Sequence, residues 1–557
     1  MTAVLGYRDW HDASACIVVD GKVVAAAPEE RFTRNKHHSG FPERAIAFVL
    51  ERAGLTLDQV DVVAYPRRLS VGPLLRNIPS YLRSPGYFWR KLRAHRAVSR
   101  SLTERDARTL QKRYLYTNHH FAHGMCAYLT SGWRRANIVT ADALGDRMTS
   151  RVMRGENGRV QTLDYTPPGH SLGNFYSLAT EACGFEVGDG EYKLMGMAPY
   201  GTPSEECRRE MEATGYVPEV RGLRLWQRRL MDRNVTHFER VARGREFAHF
   251  GEPGAQFRLL VDAYGEKAVA ATTQAILEER LLTLMNNVRD ETGVRQSCVG
   301  GGVFLNVKAN LVLREAGHEL FPFPDPGDEG LCVGAALHAY HELAGKGPAD
   351  RIRDVYWGPE YSEDQILDAA RKSGLRHERH GDIAGTVAEM LARGKIVGWF
   401  QGRMEFGPRA LGNRSILADP RDPKMKDVVN ERIKHREPFR PFCPSLRTEA
   451  KGEYLKDGVD SPFMIQAFRV PPEKAKEIQA VVHVDGTCRP QTVERDVNPL
   501  FYRLIGAFED VTSVPVVLNT SFNLAGEPIV CTPEDALRTF RNTDMDAVAL
   551  GPYLVTR

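Results

Sequence analysis

The chain of 557 residues has no run of about 18 apolar residues, the length a helix needs to cross a bilayer, so no membrane span is expected. It has no CxxC pair. Its nine cysteines, at positions 16, 126, 183, 207, 298, 332, 443, 488 and 531, are scattered and odd in number. Free thiols in a reducing compartment are the simplest reading. The start, Met1-Thr2-Ala3-Val4-Leu5-Gly6, turns polar at once, so no signal peptide is expected and the predicted location is cytoplasmic. The absence of HExxH leaves zinc-protease chemistry without support. The absence of GxxxxGK[ST] and of GxGxxG does the same for P-loop and dinucleotide-binding folds. Excess charge of one sign is also missing. A net charge of +4, with acids and bases interleaved, gives no reason to expect a nucleic-acid partner. One basic, aromatic run lies between Arg67 and Arg113 and includes Tyr87-Phe88-Trp89-Arg90-Lys91. It reads better as a lid or helical insertion than as an RNA surface.

What is present is the composition of a globular enzyme, 42% hydrophobic and 26% charged, on a chain too long for one core. Two domains, or three, are expected. The chain opens with apolar segments at 4–7, 15–19 and 22–27, the last two joined by the hairpin signal Asp20-Gly21. A helix is predicted from about Pro42 to Ala53, capped by Gly54, then a strand over 60–65. A second strand, Ala136 to Asp142, again ends on an aspartate. Two strand-loop units with polar tips hint at a duplicated nucleotide cleft. Breakers cluster between Gly345 and Tyr361, which predicts a linker. Beyond it come helices over 363–373 and 383–392, the buried strand Ile396 to Phe400, and a mixed α/β domain.

Several groups carry chemistry. His119 and His123 in Asn118-His119-His120-Phe121-Ala122-His123 are four apart, so on a helix both imidazoles leave one face and can share a cation. An isolated HxxxH is more often a helix start with surface histidines. Here Asp142 at a strand tip and Asp328 in Pro324-Asp325-Pro326-Gly327-Asp328-Glu329-Gly330 complete a set suited to iron, manganese or zinc. Each aspartate alone could be a turn former. Gly300-Gly301-Gly302-Val303-Phe304-Leu305-Asn306 sits between a strand and a helix, where backbone can approach a nucleotide. A tight packing turn explains it equally well. Lys193, among the glycines of Gly190 to Gly201, could reach a phosphate or lie on the surface.

Taken together, the motifs resemble the NodU/CmcH carbamoyltransferase family, which includes the tobramycin, cephamycin and ansamycin O-carbamoyltransferases. The resemblance begins at His11-Asp12-Ala13-Ser14-Ala15 and Pro28-Glu29-Glu30-Arg31-Phe32-Thr33-Arg34. It runs through His119 to His123, Gly190 to Gly201, Gly300 to Asn306 and Gly327 to Gly330. It continues through Phe406-Gly407-Pro408-Arg409 to Ile416, Arg432-Ile433-Lys434 and Arg440-Pro441-Phe442, and closes at Leu518-Asn519-Thr520-Ser521-Phe522-Asn523. One departure is Asp142-Ala143-Leu144-Gly145-Asp146, where the family often has Asp-Gly-x-Gly-Glu.

The resemblance implies an α/β protein. An actin-like, ASKHA-type domain akin to the threonylcarbamoyl-adenosine transferases would span 1–348, with a linker at 349–361 and a YrdC-like domain over 362–557. It implies that carbamoyl phosphate and ATP give carbamoyl adenylate, whose carbamoyl group passes to a hydroxyl of a small-molecule, natural-product acceptor. The implied metal is Fe(II), held by His119, His123, Asp142 and Asp328, with Mg(II) accompanying ATP. The nucleotide would meet Lys193, Gly301, Gly302 and Asn306. A homodimer is the expected assembly. Arginine forks match a small planar dianion. Arg409, Lys434, Arg440 and Arg489, with Asn519 and Ser521, are therefore expected at carbamoyl phosphate, Lys434 and Arg440 acting in catalysis. Arg414 belongs to the same basic set. His11, as a neutral imidazole, is expected to take the acceptor proton. The stretch from Val71 to Leu110 is expected at the acceptor pocket or an interface. The alternatives are an ASKHA-type phosphotransferase, which needs no arginine-rich domain, and a tRNA threonylcarbamoyl transferase, which needs a basic tract.

Overall fold

The computed structural model describes residues 1–67, 114–231, 250–345 and 350–557. The stretch from Val71 to Leu110, expected at the acceptor pocket or an interface, lies outside the described residues.

The first sheet begins as an antiparallel meander of β1 (Ala3–Arg8), β2 (Ser14–Val19) and β3 (Lys22–Pro28). Asp20 and Gly21 both take positive φ, 48° and 84°, the geometry of the two-residue hairpin turn that this dipeptide favours. Helix α1 (Glu43–Ala53), closed by Gly54, carries the chain to β4 (Val62–Tyr65), which pairs parallel to β1 and then to β5 (Tyr114–Tyr116). The order is β3-β2-β1-β4-β5.

The second sheet repeats this plan. After α2 (His119–Thr130), a meander of β6 (Arg135–Gly145), β7 (Met148–Glu156) and β8 (Arg159–Thr166) forms. Past α3 (Glu191–Met197) and α4 (Glu266–Thr292), β9 (Gln296–Gly300) pairs parallel to β6. Then α5 (Val307–Glu315) leads to β10 (Glu319–Pro322), parallel to β9. The order β10-β9-β6-β7-β8 mirrors that of the first sheet. Each unit is a meander whose first strand then takes parallel partners, so the pattern of two strand tips in the sequence reflects a duplicated topology, the actin-like plan. Helix α6 (Leu331–Ala344) packs on α2, β1 and β2. Small residues such as Ala127, Ala335, Ala336 and Ala339 let these layers approach closely in one apolar core.

Eight further strands form one mixed sheet: β11 (Arg376–Arg379), β12 (Val397–Phe400), β13 (Arg414–Ala418), β14 (Cys443–Arg447), β15 (Gln491–Val493), β16 (Val516–Ser521), β17 (Ala547–Leu550) and β18 (Tyr553–Thr556). The order is β11-β18-β17-β12-β13-β16-β14-β15. Trp399, Phe400, Phe501 and Phe508 lie in its core.

The structure adds detail at two stretches singled out in the sequence. The breaker-rich stretch before Tyr361 is extended, but it is no solvated tether. Val355 and Trp357 are buried, Ala26 N donates to Trp357 O at 3.2 Å, and Phe406 N donates to Val355 O at 2.7 Å. Proline and glycine deny this stretch a helix, and its apolar side chains then make it a seam between the sheets. The glycine run, in turn, does not feed a helix directly. A 3-10 turn, Gly302–Leu305, comes first, and Asn306 caps α5 by accepting from Ala309 N at 3.0 Å.

Candidate functional site

The histidines of α2 enter the structure through its cap. Asn118 accepts from Phe121 N at 3.1 Å, and Asp146 Oδ2 accepts from His119 N at 2.8 Å. The helix therefore starts at His119, which sets His119 and His123 one turn apart on the same side. The aspartate that departs from the family pattern thus secures the start of the helix that carries both histidines. His120 points elsewhere, to Thr140 Oγ1 and Met148 O at 3.0 Å each, and burial takes its pKa down to about 3.

Four side chains converge. His123 Nε2 lies 3.2 Å from His119 Nε2, 3.2 Å from Asp328 Oδ1 and 3.3 Å from Asp142 Oδ2. One donor atom from each of His119, His123, Asp142 and Asp328 falls within 4.8 Å of every other, so the set could hold a metal ion. Asp142 sits where the β6–β7 register slips between Ala141 and Gly145, which swings its carboxylate out of the sheet. Its Oδ1 accepts from Ala143 N at 2.6 Å, leaving Oδ2 for the histidines. Glycine at 145 is required by contact, since a Cβ there would come within 2.0 Å of the His119 ring. Burial opposes a proton on His123, but hydrogen bonds and charge from Asp142 and Asp328 carry its pKa up to about 9. Burial likewise works against charge on Asp142 and Asp328. The histidines for Asp142, and Arg8 foremost for Asp328, hold both below the usual carboxylate range.

His11, in the turn after β1, joins this group. Its Nε2 lies 3.5 Å from Asp328 Oδ2, which also takes Arg8 Nη2 at 2.5 Å. Asp328 thus offers one oxygen to the histidines and one to Arg8. Sequence reading passed over Arg8, whose only signal is its place at a strand end three residues before His11.

The glycine loop covers the same group. Gly301 has φ 92°, a Cβ on it would strike Ala141 O at 2.3 Å, and a Cβ on Gly302 would lie 3.3 Å from Asp142 Oδ1. Asn306 is spent differently. Besides capping α5, it exchanges two amide hydrogen bonds with Gln274, at 2.9 and 3.0 Å. Lys193 is drawn away from this loop's chemistry, its Nζ pairing with Glu437 Oε1 at 2.7 Å.

Glu437 belongs to a second cluster. Arg440 Nη1 is 3.6 Å from Glu437 Oε2, and Arg489 donates to Cys443 Sγ through Nε and Nη2 at 3.2 and 3.0 Å. Arg409 lies over the Tyr192 ring at 4.7 Å, while its Nε and Nη2 are buried without hydrogen-bond partners. Burial first, then Arg489, lowers the Arg409 pKa to about 10. Burial, then Arg440, lowers that of Arg436 to about 9. Lys434 is held by neutral groups, Asn523 Oδ1 at 2.8 Å and the Ser521 carbonyl and hydroxyl. Burial and its neighbours Arg436 and Arg440 push its pKa well down. Asn519 donates to Ser445 Oγ at 2.9 Å and keeps a buried Oδ1 without a partner. Arg414, grouped with the basic set by sequence, is architectural. It is fully buried and donates to the carbonyls of Gln401, Asn413, Pro359 and Gly402. Arg436 and Tyr192 were missed, although each neighbours a residue singled out in sequence.

A crowd of mutually repelling guanidiniums with unmade hydrogen bonds is an anion site in waiting. A family model described as carbamoyltransferase N-terminus matches residues 3–69 and 85–337, and one described as carbamoyltransferase C-terminus matches 388–557. The chain belongs to the carbamoyltransferase family. It is therefore a transferase, of mixed α/β fold. A carbamoyltransferase relative, the 3'-hydroxymethylcephem-O-carbamoyltransferase of Amycolatopsis lactamdurans, is 34% identical over 58% of this chain and 61% of that enzyme. The nodulation protein NolNO of Sinorhizobium fredii is 34% identical over 98% of this chain and 79% of that protein. Among solved structures, full-length HypF in its phosphate- and nucleotide-bound form has a TM-score of 0.33 at 13% identity, over 61% of this chain and 56% of that one. Among the described residues, no helix is long and apolar enough to cross a membrane.

Proposed function

We propose that this carbamoyltransferase converts carbamoyl phosphate, water and ATP to carbamoyl adenylate, phosphate and pyrophosphate, and passes the carbamoyl group to a hydroxyl of a small-molecule, natural-product acceptor with release of AMP. The observation that carries the reading is the second cluster. Arg409, Arg436, Arg440 and Arg489 crowd together although each raises the cost of the others' charge, and only a multiply charged anion offsets that. Carbamoyl phosphate is such an anion. In this reading the guanidiniums grip its phosphate, Lys434 and Arg440 steady charge as the phosphate departs, and the Asn519 and Ser521 side chains orient the planar amide end. These residues form a YrdC-like domain over 362–557, joined through 349–361 to the actin-like domain over 1–348. Lys193, through Glu437, serves this site more directly than it serves the nucleotide, which Gly301, Gly302 and the end of α5 capped by Asn306 receive.

The first cluster fits a divalent ion. Two imidazoles and two carboxylates converge, and the facing Nε2 atoms of His119 and His123 cannot both carry protons at 3.2 Å. An ion held there, Fe(II) in this reading with Mg(II) accompanying ATP, supplies positive charge for phosphate oxygens. His11 takes the proton from the acceptor hydroxyl, and Arg8 keeps Asp328 aimed.

The test is the purified full-length chain with carbamoyl phosphate, ATP and a panel of hydroxyl-bearing acceptors. The expected result is AMP together with an acceptor heavier by one carbamoyl unit, read by mass spectrometry. ADP with a phosphorylated acceptor, and indifference to carbamoyl phosphate, would overturn the proposal.

A further inference from the structure

His11 does not stand alone in its turn. Its Nδ1 lies 2.9 Å from Asp12 Oδ2, and its Nε2 lies 3.2 Å from Arg8 Nη2. A guanidinium can only donate, so Arg8 requires a lone pair on Nε2. The proton of the neutral ring then sits on Nδ1, where Asp12 accepts it. Both contacts favour the tautomer with its proton on Nδ1; its Nε2 lone pair faces Arg8 Nη2, which also bonds Asp328 Oδ2 at 2.5 Å and turns wholly to that carboxylate when Nε2 takes a proton.

Asp12 is itself held. Its other oxygen, Oδ1, lies 2.6 Å from His37 Nδ1, and His37 Nε2 lies 3.4 Å from Asp189 Oδ1. With a carboxylate at each ring nitrogen, His37 is an imidazolium donating both ways. The second Asp189 oxygen takes Lys36 Nζ. Backbone contacts bind the two loops together: Ala13 N donates to His38 O at 3.1 Å, and His37 N donates to Glu30 Oε2 at 2.8 Å. Asp12 and His37 both adopt left-handed backbone, φ 57° and 54°. Such conformations cost free energy in non-glycine residues and persist where the surroundings over-determine them. A chance pair of solvated charges needs neither the strain nor the second histidine.

We propose that Asp12 is the positioning residue of the base His11, and that His37, clamped by Asp189, holds Asp12 for that task. The inference rests on the reading of His11 as base. In the step concerned, the hydroxyl oxygen bonds to the carbamoyl carbon, the bond from that carbon to the adenylate oxygen breaks, and AMP leaves. The hydroxyl proton goes to His11 Nε2, and the imidazolium that forms keeps its Nδ1–H on Asp12.

The experiment uses the full-length chain labelled with nitrogen-15 in histidine, and carbamoyl adenylate with water as the hydroxyl probe. The His11 signals are assigned by their loss in His11→Gln. In the native chain Nε2 is expected unprotonated. Asp12→Asn suits the left-handed backbone, because asparagine tolerates it as aspartate does. It is expected to move the proton to Nε2 and to slow AMP release by on the order of a hundredfold. Adenylate formation from carbamoyl phosphate and ATP should stay within about twofold. Asp12→Glu should keep the native tautomer and recover part of the rate, which a merely structural role would not give. An unchanged tautomer and unchanged AMP release in Asp12→Asn, while His11→Gln loses that release, would overturn the inference and leave the base reading standing. Native AMP release in His11→Gln would overturn the base reading itself.

Discussion

At His119 and His123 cations and carboxylates alternate: Asp142 and Asp328 meet the two imidazoles, and Arg8 meets the far oxygen of Asp328. Around Arg409 the cations face one another, and Glu437 is the acid that Lys193 and Arg440 share. The first region can satisfy itself with a proton on His123. The second cannot satisfy itself, and it keeps guanidinium nitrogens without partners. A charge-balanced cluster can exchange a proton for a metal cation, whereas a cation-rich one is eased by an anion, which is the contrast on which the proposed function rests.

That contrast can be broken most sharply on the cationic side. Arg440→Ala and Lys434→Ala should each cut the use of carbamoyl phosphate by on the order of a thousandfold, about 4 kcal/mol. Supplied carbamoyl adenylate should still be consumed by both variants. Phosphate release in one assay and AMP release in the other read the two steps separately. A variant losing both equally would mean that the arginine cluster is not specific to the first step.

On the balanced side, the prediction concerns pH. The His123 pKa is raised to about 9, so below that value a metal must displace its proton. Affinity for a divalent ion should therefore fall about tenfold for each pH unit below about 9, and level off above it. Titration of the metal-free chain at several pH values checks the slope. His119→Ala should weaken binding by about a hundredfold or more, and elemental analysis of the purified variant reads the loss.

The smallest effect sharpens the comparison by asking what an aromatic ring adds among cations. Tyr192→Leu should raise the KM for carbamoyl phosphate about two- to fivefold with little change in kcat, since such a contact contributes about 0.5–1 kcal/mol. An unchanged KM would mean that Tyr192 only fills space beside Arg409.

The sequence was most informative where chemistry is local. The i,i+4 spacing of His119 and His123, the Asp20-Gly21 hairpin and the Gly54 cap each rest on a few neighbouring residues, and each is found in the fold. It was least informative where a side chain's partner lies far along the chain. Lys193 could reach a phosphate or the surface on spacing alone, and its actual partner, Glu437, is 244 positions away. Arg414 looked like any other basic residue near a turn, and burial against distant carbonyls made it part of the scaffold. The stretch before Tyr361 carried the breakers of a linker, and Trp357 buried it.

By itself the sequence determined the elements and the types of donor available, because periodicity, capping and turn chemistry act over a few residues. The tertiary structure alone decided which donors share a site. Asp328 meets His123 across 205 positions, and Arg409 meets Tyr192 across the seam between the sheets. The physical reason is that charge acts through space. Whether a carboxylate serves as a turn cap or a ligand, and whether an arginine is solvated or starved of partners, depends on what folding sets within a few ångströms of it.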